Sequence, residues 1–196
     1  MTLEEIFSKL SSHTIRGMMI HEGMANYFDF LGLQGYKRCH EYHYFCESIE
    51  NRKLQHFFIN RYNSLIPEGK IDSSSVIPSS WLSHKRQDVD KSTKRNAVAS
   101  AIEEWIKWEH ETRKVLHEAY KELCDLSEVS AAQYVLEMIS ANDREIKKAE
   151  KTHLKLEAVD YDMVYITEHQ DKIHKKYKEK MRIGALLAHI MRLPLK

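Results

Sequence analysis

His40, His43, Glu47 and Glu50 are spaced three, four and three residues apart, so on a helix they share one face. Imidazole and carboxylate together suit a divalent transition metal such as iron, manganese or zinc. The same face runs on into Leu54 and Phe57, which predicts that it turns at least partly inward. Glu22 lies about as far before the Gly32–Gly35 segment as Glu47 lies after it, so a hairpin turning there would set these two carboxylates across from each other. Glu109 stands seven residues after Ile102, four after Trp105, three before Thr112 and seven before Leu116, on a stripe that apolar residues otherwise fill. An unpaired charge buried there costs several kcal/mol, so its presence calls for a partner. A chain reversal near Leu126 would bring Asn142, Asp143 and Arg144 opposite Glu109.

A further set comprises His13, His56 and His153, each on an apolar row of a different segment, with Glu104 and Glu150 at comparable depth. Glu150-Lys151-Thr152-His153 is the one Glu-x-x-His in the chain, and on a helix it aims a carboxylate and an imidazole at the same point. Plainer readings compete. Arg16, Arg52 or Arg144 could neutralise Glu109, a His–His–Glu–Glu face could simply be solvated, and stripe histidines commonly serve as hydrogen-bonding core residues. No Gly-rich phosphate loop, GxSxG or HExxH is present, which leaves nucleotide-dependent and hydrolytic chemistry without support.

The elements that must position these groups are helices. Six glycines and three prolines in 196 residues are too few turn formers for an all-β chain, and apolar residues recur at three- and four-residue spacing. A first helix carries Ile6, Leu10, His13, Gly17, Ile20, Met24, Tyr27 and Leu31 along one row and ends at the glycine-bracketed turn Leu31–Gly35. A second spans roughly Tyr36 to Ser64 with Tyr42, Cys46, Ile49, Ile59 and Ile66 on a row. The polar stretch Pro67–Ser92 divides the chain. A third helix, capped by Ser92, carries Val98, Ile102, Trp105, Leu116, Ala119 and Leu123. A tight link Cys124–Ser127, with Ser127 as cap, leads to a fourth with Ala132, Val135, Ile139, Ile146, Ala149 and Leu156. A break at Val159–Asp162 precedes a charged fifth helix ending near Gly184, followed by an apolar tail that folds back or packs on another subunit.

Composition narrows the class. Apolar residues make up 42% and charged residues 30%, as in a folded globular protein, and a formal net charge of +1 gives no global attraction to nucleic acid or an acidic membrane. Two short basic runs, His84-Lys85-Arg86 and His174–Lys178, read as solvated. Three cysteines without a CxxC pair fit buried thiols in a reducing compartment. No run of 18 apolar residues spans a membrane, and the N-terminus does not resemble a secretory signal, so a cytoplasmic location is expected.

A helical hairpin, a long crossover and a second helical hairpin, in that order, resemble the ferritin-like superfamily, ferritins and mini-ferritins, over roughly His13 to Val159. Ala25-Asn26-Tyr27-Phe28-Asp29 is similar to the end of a ferritin first helix. Ile77-Pro78-Ser79-Ser80-Trp81 is similar to the Pro-then-Trp approach to the third, and Trp108-Glu109 matches that helix's metal-binding glutamate. The resemblance implies an all-α, ferritin-like four-helix bundle (1–159) with a long crossover between helices two and three. An additional C-terminal helix and apolar tail (160–196) would belong to the same domain. It also implies a centre that binds iron, di-iron in iron-oxidising members, with manganese or zinc left open, and ferroxidase-type oxidation, iron storage or oxidative-stress protection in a homo-oligomer. Candidate metal ligands are Glu22, His43, Glu47, Glu50, Glu109 and Asp143, with Glu150 and His153 as the alternative set. The chain diverges from the family pattern on the second helix, where Glu47-Ser48-Ile49-Glu50 stands in place of Glu-x-x-His. The other reading is a metal-free assembly or interaction module that has lost the di-iron site, its contacts made by the basic fifth helix and the tail. A DNA-associated role is the least favoured.

Overall fold

The computed structural model describes residues 1–71, 85 and 89–190, with side chains to residue 182. Five long helices follow in order: α1 (Leu3–Phe30), α2 (Gln34–Tyr62), α3 (Lys91–Asp125), α4 (Val129–Glu157) and α5 (Met163–Ile190). α1 packs along α2 and α3 along α4, and α5 lies on α2. Contacts at successive depths fix the directions: Lys9 meets Glu118 and His13 meets Thr112, so α1 and α3 are antiparallel; His43 meets Lys148 and Tyr62 meets Glu128, so α2 and α4 are too. Two antiparallel hairpins joined by a crossover form the four-helix bundle. The Pro78–Trp81 stretch of that crossover and the apolar tail's side chains lie outside the described residues.

Local chemistry sets the boundaries. Thr2 caps α1 in a reciprocal box with Glu5, and Gly32, at φ +72, makes the turn to α2. The cap of α3 is Asp90, whose carboxylate accepts from the Thr93 N–H at 2.7 Å, not Ser92, whose hydroxyl donates to Asp90 instead. Ser127 does not cap α4 either. It adopts a left-handed φ of 58 inside the link, and Glu128 takes the cap position. α5 continues through Gly184 to Ile190, since one glycine costs a helix only about 1 kcal/mol.

The inward face of α2 also differs from the expected row. Tyr36, Cys39, His40, His43, Leu54 and Phe58 are buried, while Ile59 is 38% exposed. Tyr42 and Cys46 lie on the flank that meets α5, where the Tyr42 and Tyr177 rings sit 5.2 Å apart. Gly35 is not part of the turn. It sits in the first turn of α2 where the backbone of α5 crosses so closely that a Cβ would collide with the Gln170 carbonyl. Tyr36 donates or accepts across the same crossing, 3.0 Å from His169 Nδ1.

The core comes in two apolar halves. One holds Met24, Phe28, Leu31, Val98, Ile102, Leu156 and Ile166, near the α1–α2 turn; the other holds Phe7, Leu10, Leu54, Phe58, Leu116, Leu123 and Val135, near the α3–α4 link. Buried polar residues lie between them: His21, His40, His43, Glu109 and Asn142.

Gly35→Ala is expected to lift α5 off α2, costing about 1–3 kcal/mol as an overpacked contact. The check is hydrogen exchange, which should accelerate along α5 and leave α1 and α3 unchanged.

Candidate metal centre

The polar layer is built by residues that share rows with apolar neighbours. His21 follows Gly17 by four residues and precedes Met24 by three, so α1 carries it inward; it is 1% exposed. Its Nδ1 lies 3.1 Å from His40 Nδ1, so one ring donates and the other accepts, and the two imidazoles are opposite tautomers at this bond. His43 stands beside them, its ring centroid 5.2 Å from that of His21. The Lys148 ammonium donates to His43 Nε2 at 3.0 Å and to Glu145 at 2.6 Å, and lies 5.3 Å over the Trp105 ring.

Below this lies a carboxylate level. Glu109, 6% exposed, accepts from Trp105 Nε1 at 2.8 Å on one oxygen and from Asn142 Nδ2 at 2.7 Å on the other. These neutral groups, not an arginine, are its partners. Glu47 is partly exposed as a residue, but its carboxyl folds over Gly17, where a Cβ would stand 3.1 Å from Glu47 Cδ and 3.2 Å from Trp108. Asn142 Oδ1 and His21 Nε2 are buried and without a hydrogen-bond partner.

Burial dominates the electrostatics. It pushes the Glu47 carboxyl up to about 8, aided by Glu109, Glu50 and Glu145. It also raises Glu109 to about 7, against the pull of the Trp105 hydrogen bond. Burial lowers His21 to about 3, and His40 and His43 lie well below the usual imidazole value, with Lys148 adding to each shift. At neutral pH the imidazoles are therefore neutral and able to ligate, while Glu47 is mostly protonated and Glu109 is close to the midpoint of its titration.

The other candidates fall elsewhere. Glu22 is exposed, one position off the inward row that His21 occupies. Glu50 turns to Lys53 at 2.8 Å and Asp143 to Arg113 at 3.4 Å. Glu150 pairs with His110 at 3.4 Å and His153 bonds the Tyr161 hydroxyl at 2.6 Å, so the Glu-x-x-His pair is split between two partners. His13 stacks on Trp108 at 4.3 Å and bonds Thr112, and His56 is exposed. Sequence reasoning missed His21, whose four-residue spacing from Gly17 was the available signal. It also missed Lys148, which reaches the centre by its length from a flank, something no spacing reveals.

Among the described residues, no group of three or more His, Cys, Asp or Glu side chains is arranged to hold a metal ion. A dinuclear centre does not fit. At this depth α1 offers only Gly17, Glu50 points to Lys53, and Glu145 is committed to Lys148. The donors that remain are oxygens, the type a hard or borderline divalent cation prefers: two carboxyls without an ion-pair partner and a buried amide oxygen without a donor among the described residues.

No protein-family model matches the sequence, and no curated protein does either. Solved structures do match. The chain is similar to an Archaeoglobus fulgidus ferritin engineered into a closed form, at 14% identity over 89% of this chain and 96% of that one, with a TM-score of 0.72. It is similar to an open-pore ferritin from the same hyperthermophilic archaeon, at 15% identity over 87% and 93%, with a TM-score of 0.72. It is also similar to a humanized archaeal ferritin, at 17% identity over 87% and 94%, with a TM-score of 0.68. At such identities the likeness shows the fold, and the fold is ferritin-like.

The pH dependence of stability follows from the shifts. The folded protein keeps protons on Glu47 and Glu109 that unfolded carboxyls, titrating near 4.5, have released, so stability falls as pH rises from about 5 to 8. The imidazoles act in the opposite sense. Unfolded histidines gain protons below about 6.5 that the buried ones refuse, so stability also falls as pH drops from there. Glu47→Gln removes part of the first effect. Thermal melts in chelator should show it more stable than the parent at pH 8, with the two curves converging toward pH 5.

Proposed function

We propose that this protein is a ferritin-like metal-handling protein whose bundle centre takes up a single divalent transition-metal ion, iron first, in place of a di-iron pair. The observation that supports this reading is the pair Glu47 and Glu109, carboxyls whose proton affinity burial raises and which have no ion-pair partner among the described residues. A purely structural core gains nothing from such a pair, because buried charge without a partner is among the costliest features a fold can keep. The Lys148 ammonium offsets Glu109 only in part, since it is shared with Glu145 at 2.6 Å. Glu47 and Glu109 would hold the ion, and Asn142 would complete the oxygen donors. A bound ferrous ion would supply electron transfer to oxygen or peroxide, a ferroxidase-type activity. The chain's own residues do the rest: the carboxyls release their protons, Trp105 and Asn142 fix the Glu109 carboxyl, and the apolar halves exclude water. The working form in this reading is a cytoplasmic homo-oligomer. No helix among the described residues is long and apolar enough to cross a membrane.

A second reading is favoured by a different contact. Lys148, 3.0 Å from His43, is a cation already placed in the centre, as suits a metal-free assembly subunit of the same fold. One experiment separates the two. Anaerobic titration of the apoprotein with ferrous iron, or cobalt as a stable probe, should show about one ion per chain, with protons released on binding and tighter uptake at pH 8 than at pH 6. Glu47→Gln/Glu109→Gln should abolish uptake. Absence of uptake by the parent protein, with oligomer and melting temperature indifferent to chelator, overturns the metal reading and leaves the assembly subunit.

A further inference from the structure

The basic run His174–Lys178 on α5 has a feature that a solvated run lacks: Tyr177 turns inward, 1% exposed, and lysines gather around its ring. Lys148 of α4, and Lys176 and Lys180 of α5, each place an ammonium 5.4 Å from the Tyr177 ring centroid, and Lys180 also lies 5.0 Å from that of Tyr42. Their carboxylate complement is short. Glu145 contacts Lys148, and no other ion pair to the three is found among the described residues. Stacking on an aromatic face attracts each cation but does not cancel its charge, so the ammoniums still repel one another. The Lys176 ammonium responds as expected: burial first, then Lys180 and Lys148, lower its proton affinity. Neutral polar groups border the cluster, among them Tyr42, whose ring lies 5.2 Å from that of Tyr177.

Flexible cationic side chains converging from two helices on one point, with too little negative charge to hold them there, are the complement of an oxyanion. We propose that Lys148, Lys176 and Lys180 form an oxyanion-binding site around Tyr177, at the seam of α2, α4 and α5, that takes the phosphate group of a small ligand. Lys176 and Lys180, one turn apart, close on the anion from α5, and Lys148 reaches it from α4. The proposal does not rest on metal uptake, because Lys176 and Lys180 form no ion pair with Glu47 or Glu109, and Lys148 alone of the three also reaches the polar layer, through His43.

The experiment is calorimetric titration of the full chain with inorganic phosphate, AMP and a short DNA duplex, each at two fixed salt concentrations, paired with thermal melts. Phosphate is expected to bind once per chain and raise the melting temperature. K176Q/K180Q should weaken it roughly tenfold or more, and K172Q/K175Q, the same charge change elsewhere on α5, should leave it unchanged. Tighter binding of AMP than of phosphate identifies a nucleotide as the source of the group, and equal binding identifies free phosphate. Should the first double variant fold poorly, K176R/K180R preserves the charges and should retain binding. No binding of phosphate or AMP by the parent protein overturns the site. So does equal weakening in both glutamine doubles, or retention of duplex DNA alone with steep salt dependence, which would be a diffuse surface effect.

Discussion

The structure depends on a polar layer laid across the middle of an otherwise apolar bundle. A carboxyl removed from water without a partner costs several kcal/mol, and this layer holds Glu47 and Glu109 together. Its surroundings limit that cost. Trp105 and Asn142 each donate to Glu109, the missing side chain at Gly17 makes room for Glu47, and Lys148 and Glu145 neutralise one another at the edge. Three imidazoles complete the layer in neutral form, two of them bonded to each other.

α5 closes the layer from one side. Its backbone meets α2 at Gly35, and its Tyr177 fills the space beside Cys39 and His43. Lys148 lies between the Trp105 ring of the bundle and the Tyr177 ring of α5, so one side chain belongs to both environments. The polar centre and the lysine cluster are therefore neighbours built on a shared cation, although different residues would bind their ligands.

Much of the fold was legible because long helices announce themselves. The rows of α1, α3 and α4 repeat with little interruption, and the proline- and serine-rich stretch between α2 and α3 separates the two hairpins. α2 was harder. Its mean hydropathy is low and it packs against α1 on one side and α5 on another, so two partial apolar rows compete and periodicity favours the wrong one. Within the site, Glu109 stood out as an acid on an apolar stripe, and hairpin counting placed Asn142 opposite it. Counting back from the turn points to Glu22, whereas the helical phase through Gly17 and Met24 carries His21 inward. The caps lie a residue or two from the serines because Asp90 takes the Thr93 N–H, and Ser127 is used by the left-handed turn of the link.

The division of the core has a consequence for how the molecule opens. In a uniformly apolar bundle the middle of each helix is the last part to loosen, and motion begins at the ends. Here the apolar packing lies toward the two ends, and the buried, unbonded His21 Nε2 and Asn142 Oδ1 lie between them. A local opening at the mid-section would therefore give up less apolar burial than one at either end. A bundle arranged this way can breathe at its centre without coming apart, which gives a small ion or a proton a route inward that needs no pore.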